Sequence, residues 1–211
     1  MAWKKLLKAL FLLVVSYLLG SIPFSHLFPK KIKNRDVRLA GTKNVGATNA
    51  LVVGGPLVGL LALIGDVAKG YLAVILARYF DSPDSLVALV AILAVIGHDF
   101  SIFLGFKGGK GVATTGGILL ALDPIFTLIT LCLWVLTMLV VRYFIPSTMI
   151  IFCFLPVLMW IGSWHGEYIL FALINALLGL YAHRENLGAF FAGQELTIAE
   201  AIDKLKNKNP A

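Results

Sequence analysis

Apolar residues run through this chain in stretches as long as a bilayer is thick, with short polar breaks between them. A helix needs about 20 apolar residues to cross the hydrocarbon core. Stretches of this kind lie at 6–28, 53–79, 86–105, 124–144, 147–164 and 167–182. A shorter one, 111–122, is cut from its successor by Asp123-Pro124. The pattern predicts an all-α integral membrane protein of seven transmembrane helices, some short or broken, with a short cytoplasmic C-terminal tail. Residues 1–195 read as one transmembrane domain and 196–211 as the polar tail, expected to form a short surface helix and then a loose end. The first apolar run, behind Lys4 and Lys5, imitates a signal peptide. It lacks a small-x-small cleavage site and continues into Gly20-Ser21-Ile22-Pro23, so it reads as a retained helix.

Composition agrees. Hydrophobic residues make up 59% of the 211 and charged ones only 14%, where soluble domains carry about 25% charge. The net charge of +7 must therefore be read by position. Lys30, Lys31, Lys33, Arg35, Arg38 and Lys43 fill the first polar break, and Lys107, Lys110, Arg142 and Arg184 fall in later ones. The alternate breaks, "FDSPDS", "LDP" and "SWHGE", are acidic. By the positive-inside rule the basic breaks are cytoplasmic, the C-terminus inside and the N-terminus outside. Lys4, Lys5 and Lys8 run against that pattern. No polar domain exists to present a basic face to nucleic acid. Cys132 and Cys153 lie in apolar runs and read as small buried hydrophobes. With no HExxH, no CxxC and no His or Cys at ligand spacing, neither a metal nor a cofactor is expected.

Three polar, Gly-rich segments fall on the basic side: "RLAGTKNVGATNA" (38–50), "GFKGGKGVATTGG" (105–117) and "HRENLGAFFAGQE" (183–195). The second imitates a nucleotide loop, but Leu104 stands where the first glycine of a P-loop belongs, and Gly111 replaces its Ser or Thr. What survives is simpler chemistry: backbone N–H groups of Gly-rich turns cradle anions and a lysine adds a point charge. Close helix packing by Gly111, Gly116 and Gly117, with Lys107 and Lys110 snorkelling to lipid phosphates, is the competing reading. Thr42, Asn44, Thr48 and Asn49 suit a turn or cap as well as a site. His183 is a candidate general base, though a histidine also suits a helix C-terminus. Asp66 and Lys69 share a helical face inside the second span, where pairing would offset their burial. His98 and Asp99 stand just before the Gly loop. His26 and His165 have no partner nearby in sequence. No histidine has an acid five residues on, and no G-x-S-x-G elbow is present.

Taken in order, "YLLGSIPF", "GTKNVGATN", "GDVAKG", "GHDF", "FLGFKGGKGVAT", "RYFIPS", "HREN" and "GQE" resemble the bacterial membrane acyl-phosphate:glycerol-3-phosphate acyltransferases. The resemblance covers about residues 11–195 and implies seven helices in the bacterial inner membrane. It implies transfer of a fatty acyl group from acyl phosphate to the 1-hydroxyl of glycerol 3-phosphate, giving lysophosphatidic acid in phospholipid synthesis. Carried over to this chain, it implies catalytic roles for Thr42, Lys110, His183 and Asn186. It implies phosphate binding by Arg38, Asn44, Lys107, Gly108, Gly109, Lys110, Gly111 and Ser147, and Lys43 is expected to replace in part a missing arginine at the glycerol 3-phosphate headgroup. The expected partners are the two phosphate substrates and membrane lipid, and a monomer is the expected state. The chain departs from the family pattern at three places: Lys43 replaces a glycine, and Val52 and Ala189 stand where arginines are usual. Two other functions fit the residues: acylation of a different phosphate-bearing acceptor, and a non-catalytic transporter or lipid-binding protein.

Overall fold

The computed structural model describes residues 2–200, so the end of the expected tail lies outside the described residues. Each apolar run becomes a helix, and each break has a local cause. The first run forms α1 (Ala2–Ser21) and α2 (Phe24–Lys33), bent by 40° at Ile22-Pro23. α2 ends on Lys30, Lys31 and Lys33, which complement its negative C-terminal end. Next come α3 (Ala47–Gly54) and α4 (Pro56–Tyr79), separated by Gly55 at φ 87°, with Pro56 preset for the first turn of α4. α5 (Asp84–Asp99) leads through a single 3₁₀ turn into the Gly loop and then α6 (Val112–Leu122).

Asp123 caps α7 (Pro124–Val141) by accepting from the N–H groups of Ile125 and Phe126. Arg142, left-handed at φ 65°, turns the chain into α8 (Phe144–Ile161). α9 (Gly166–Ala182) and α10 (Arg184–Phe191) follow, bent by 62° at His183. Among the described residues α4, α7, α8 and the α5 segment are long and apolar enough to cross a membrane, and the two bent pairs raise that to as many as six. The seventh expected segment, α6, has 11 residues. At 1.5 Å per residue it reaches roughly halfway across a core of about 30 Å.

Small residues set the helix crossings. α1 lies against α5 where Gly20 meets the backbone of Ala94 and Gly97 meets that of Tyr17 and Ser21. α4 lies against α6 where Gly70 meets Thr114 and Gly117 meets Val67. Such contacts replace the hydrophobic drive that lipid cannot supply. Between these helices and α8–α9 sits the main core, built around Leu12, Val74, Val87, Ile118, Leu155 and Phe171. α7 lies on the outside, with Ile125, Leu128, Leu136, Leu139 and Val140 facing lipid. Cys132 and Cys153 are unpaired, but both are exposed rather than buried. An apolar side chain gains nothing by leaving a surface whose solvent is hydrocarbon.

Polar breaks sort to two ends. Lys8 Nζ donates to Phe80 O, Arg78 donates to the carbonyls of Ala121 and Leu122, and Tyr168 donates to Asp84. These contacts gather the acidic breaks and the start of α1 at one end. His165, without a partner in its own stretch of sequence, pairs there with Asp84. The basic breaks gather at the other end.

The α4–α6 crossing gives a paired prediction. A side chain at Gly117 would collide with the Val67 carbonyl, whereas Gly116 has open space. Gly117→Val is expected to cost about 1–3 kcal/mol by forcing the helices apart. Gly116→Ala should be neutral or add about 0.5–1 kcal/mol. Thermal unfolding in detergent separates the two.

Candidate functional site

The first candidate segment, between α2 and α3, is a loop organised by one side chain. Asn49, in the first turn of α3 and 1% exposed, points back under the loop. Its Oδ1 accepts from Thr42 N–H at 2.8 Å. Its Nδ2 donates within reach of the carbonyls of Val37, Ala40 and Asn44 at 2.8, 3.1 and 2.9 Å. Val37, Val45 and Val53 pin the loop from within. The turn at its tip needs left-handed backbone at Gly41 (φ 63°) and again at Lys43 (φ 59°). Glycine would take the second position without strain, so Lys43 is held there by the turn around it. Thr42 and Lys43 are exposed.

Arg38 stands at the same loop, and its guanidinium is already engaged. Nε and Nη2 donate to the two Asp36 oxygens at 3.0 and 2.7 Å. That pairing holds the Asp36 carboxyl well below the usual carboxylate range. His26 Nδ1 lies 3.4 Å from the same carboxylate, a partner ten residues away across the α2 C-terminus. Arg38 therefore meets a substrate phosphate only in competition with Asp36.

The second segment, 105–111, is fastened to the end of α5. Gly108 N–H donates to Asp99 O and Gly109 N–H to His98 O, both at 2.9 Å. These two N–H groups were candidates for an anion cradle; the carbonyls of α5 occupy them instead. The role of the two glycines is close approach. A side chain on Gly109 would strike the His98 ring and the Val45 carbonyl, and one on Gly108 would strike the His98 carbonyl. Gly109 is thus the point where the second segment stacks on the first. Gly111, left-handed at φ 72°, starts α6 with no side-chain cap, so the positive end of that helix faces the loop. Lys107 is exposed at the loop's outer edge, and Lys110 is half-buried.

The third segment begins where α9 ends. His183 is 2% exposed, and its Nδ1 bonds the Gly179 carbonyl at 2.9 Å. A carbonyl only accepts, so Nδ1 carries the proton and the lone pair of the neutral ring is on Nε2. Lys110 Nζ donates to Asn186 Oδ1 on α10, which joins the second segment to the third. Ile198 N–H donates to Arg142 O at 3.0 Å, and Phe190 packs on Tyr143 at 5.0 Å. These contacts fold the chain after α10 back toward α8 and put Glu195 beside the cluster. Burial lowers the Lys110 ammonium pKa, and Glu185 and Glu195 only partly offset it. Burial likewise raises the Glu195 carboxyl, against the opposing pull of Lys110 and Asn186. Lys110 makes no ion pair among the described residues.

The fold brings Lys110, Asn186 and His183 into one cluster, with the loop of Thr42, Lys43 and Asn44 stacked alongside at Gly109. Ser147 does not open onto it. Its side chain is fully buried, and its hydroxyl donates to Tyr143 O at 2.6 Å within α8. Asn49, which the sequence offers as turn or cap chemistry, indeed holds the turn, though from within α3. The available signal was an amide one turn into an otherwise apolar helix, where it must find partners behind itself. Glu195 enters the sequence reading only within "GQE" and has no role there, because its neighbours Lys110, in the Gly loop, and Asn186, on α10, are brought to it by the fold.

The sequence pattern of the glycerol-3-phosphate acyltransferase family matches residues 10–193. A glycerol-3-phosphate acyltransferase of Syntrophomonas wolfei is 42% identical over 189 residues, which are 90% of this chain and 96% of that one. Glycerol-3-phosphate acyltransferase 2 of Thermotoga maritima is 38% identical over 182 residues, 86% of this chain and 92% of that one. Among solved structures, the integral membrane glycerol 3-phosphate acyltransferase PlsY (YgiH) in its glycerol 3-phosphate form matches with a TM-score of 0.85 and 32% identity. The match covers 90% of this chain and 96% of that one. Its lysophosphatidic acid form matches at 0.83 and 31%, over 90% and 95% of the two chains.

Asn49 offers a direct test of how the first loop is built. Asn49→Ala leaves buried carbonyls without a donor, at about 1–3 kcal/mol. Asn49→Asp should be worse, since it turns a carboxylate toward the same carbonyls. Thermal unfolding reads the cost, and faster amide exchange across residues 40–45 would place it in the loop.

Proposed function

This chain belongs to the glycerol-3-phosphate acyltransferase family, and from that premise we propose the reaction and the residues that perform it. A fatty acyl group passes from acyl phosphate to the 1-hydroxyl of glycerol 3-phosphate, forming lysophosphatidic acid. The observation that carries the site assignment is Lys110. It is a half-buried cation at the meeting point of three segments, with burial working against its charge, Glu185 and Glu195 only partly offsetting it, and no ion pair among the described residues. A substrate phosphate supplies the missing anion. The uncapped N-terminus of α6 adds to the same field. The transporter reading is set aside by family membership.

Acyl phosphate is already activated, so no covalent enzyme intermediate is required. The hydroxyl oxygen bonds to the carbonyl carbon, the bond to the phosphate oxygen breaks, and inorganic phosphate leaves with the electron pair. The hydroxyl proton passes to His183 Nε2, whose lone pair is set by the Nδ1 bond to Gly179. A substrate phosphate is the alternative acceptor. Lys110 neutralises charge on the phosphate, Asn186 fixes Lys110, and Thr42 and Asn44 line the approach from the first loop. The work is positioning and charge stabilisation. Lys43, on the exposed tip, takes part of the role of the arginines absent at Val52 and Ala189 by contacting the glycerol 3-phosphate headgroup. The basic end of the bundle faces the cytoplasm of a bacterial inner membrane, with the N-terminus outside. All the assigned residues come from one chain, which acts as a monomer.

Lys110→Ala should lower kcat/KM by about 100-fold or more, assayed with acyl phosphate and glycerol 3-phosphate in detergent or proteoliposomes. Activity that survives this change sinks the site assignment. Because the Lys110 pKa is lowered, its charge is lost as pH rises through a range where exposed lysines stay protonated. The kcat/KM profile should therefore fall on the alkaline side below the ordinary lysine range, and Lys110→Arg should move that limb to higher pH. Lys43→Ala should raise the KM for glycerol 3-phosphate by up to about tenfold. An unchanged KM excludes the headgroup contact.

A further inference from the structure

Beneath the Gly loop lies a polar network that the reaction as proposed leaves without a role. Asp66 and Lys69 sit near the middle of α4, 1% and 2% exposed, with Nζ 2.9 Å from Asp66 Oδ1. Ser25 of α2 donates to Asp66 Oδ2 at 2.5 Å. Lys69 also donates to Ile22 O at 2.9 Å, in the break between α1 and α2. Buried charge in a membrane helix is costly, and apolar residues would hold this crossing without it. What the pair adds is a fixed direction. It faces His98 of α5, whose Nδ1 is 3.7 Å from Asp66 Oδ1.

His98 touches the Gly loop in two ways. Its carbonyl accepts from Gly109 N–H at 2.9 Å, and its ring lies so close under Gly109 that no side chain fits there. Lys110 is the next residue. Gly109 in turn meets the Val45 carbonyl, so the height of the His98 ring also sets where the 41–46 loop rests. A shift of the ring would move Lys110 relative to Asn186 and part the two loops. We infer that His98, packed between the Asp66 carboxylate 3.7 Å below it and Gly109 above it, is a positioning residue that sets where Lys110 stands to bind phosphate. It acts through Gly109 and touches neither substrate. The inference rests on the reading of Lys110 as a phosphate ligand, and both substrates carry a phosphate.

The experiment compares wild type, Lys110→Ala, His98→Ala and His98→Asn in one preparation. kcat, the two substrate KM values and the thermal midpoint are measured for each. Where turnover is lost, the substrate dissociation constant from calorimetry replaces KM. Lys110→Ala identifies which substrate's phosphate the loop holds, by whose affinity falls. His98→Ala should weaken that same substrate by at least about tenfold, with a smaller change in kcat and the midpoint within a few degrees. His98→Asn, which keeps a polar planar group between Asp66 and Gly109, should recover most of the loss. If His98→Ala leaves that affinity unchanged, the inference is overturned. The same holds if the midpoint collapses and His98→Asn restores nothing, which is a structural role only. Should His98→Ala not fold, His98→Gln carries the same expectation, and an unchanged affinity in it overturns the inference equally. If Lys110→Ala weakens neither substrate, the phosphate reading falls and takes this inference with it. That outcome is distinct from the others.

Discussion

Lipid offers no hydrogen bonds, and that constraint shapes every irregular stretch of this chain. Where a helix stops, its last carbonyls need donors from the protein itself. At the end of α5 they come from Gly108 and Gly109, which is why the Gly loop lies where it does. Under the first loop they come from Asn49. At the opposite end Arg78 serves the last carbonyls of α6, and Asp123 caps the first turn of α7. The end of the bundle where the three Gly-rich segments meet is thus built from the same obligation as the opposite end. Two loops that satisfy themselves against helix ends become rigid enough to carry a site.

Charge then decides what such a site can do. Cations collect at the end where the three Gly-rich segments meet, and several of them are already occupied. Arg38 serves Asp36, and Lys69 serves Asp66 and Ile22. Lys110 is different because burial opposes its charge while its protein contact, Asn186, is neutral. A cation in that condition is poised for an anionic ligand. His183 carries its proton on Nδ1, set by the Gly179 carbonyl, which leaves the lone pair on Nε2.

Much of the fold was legible in the apolar pattern, because only helices satisfy their own backbone in hydrocarbon and their length is set by the bilayer. The breaks at Asp123-Pro124 and Arg142 were legible for local reasons, whereas the break at Gly55-Pro56 fell inside a run, 53–79, that read as continuous. The bend at Ile22-Pro23 was less so, since its free carbonyl is met by Lys69, 47 residues on. Gly117 and Gly116 look alike in sequence, yet only the first faces another helix. Ser147 looked available and is closed, because a hydroxyl in a helix finds its own carbonyl four residues back. The two cysteines looked buried and face lipid, since in a membrane apolar and interior are not the same thing.

By itself the sequence determined the solvent of this protein and the sorting of its basic and acidic breaks to opposite ends of the bundle. These follow from local physics: hydropathy over a span and charge in a break. The tertiary structure decided which polar residues meet and which are already engaged. Lys110 reaches Asn186 across 76 residues, and Asp66 faces His98 across a helix crossing. No local pattern encodes such contacts, because they depend on where whole helices lie against one another. That arrangement follows from close approach at Gly20, Gly97, Gly70 and Gly117 and from the buried ion pair beneath the loop.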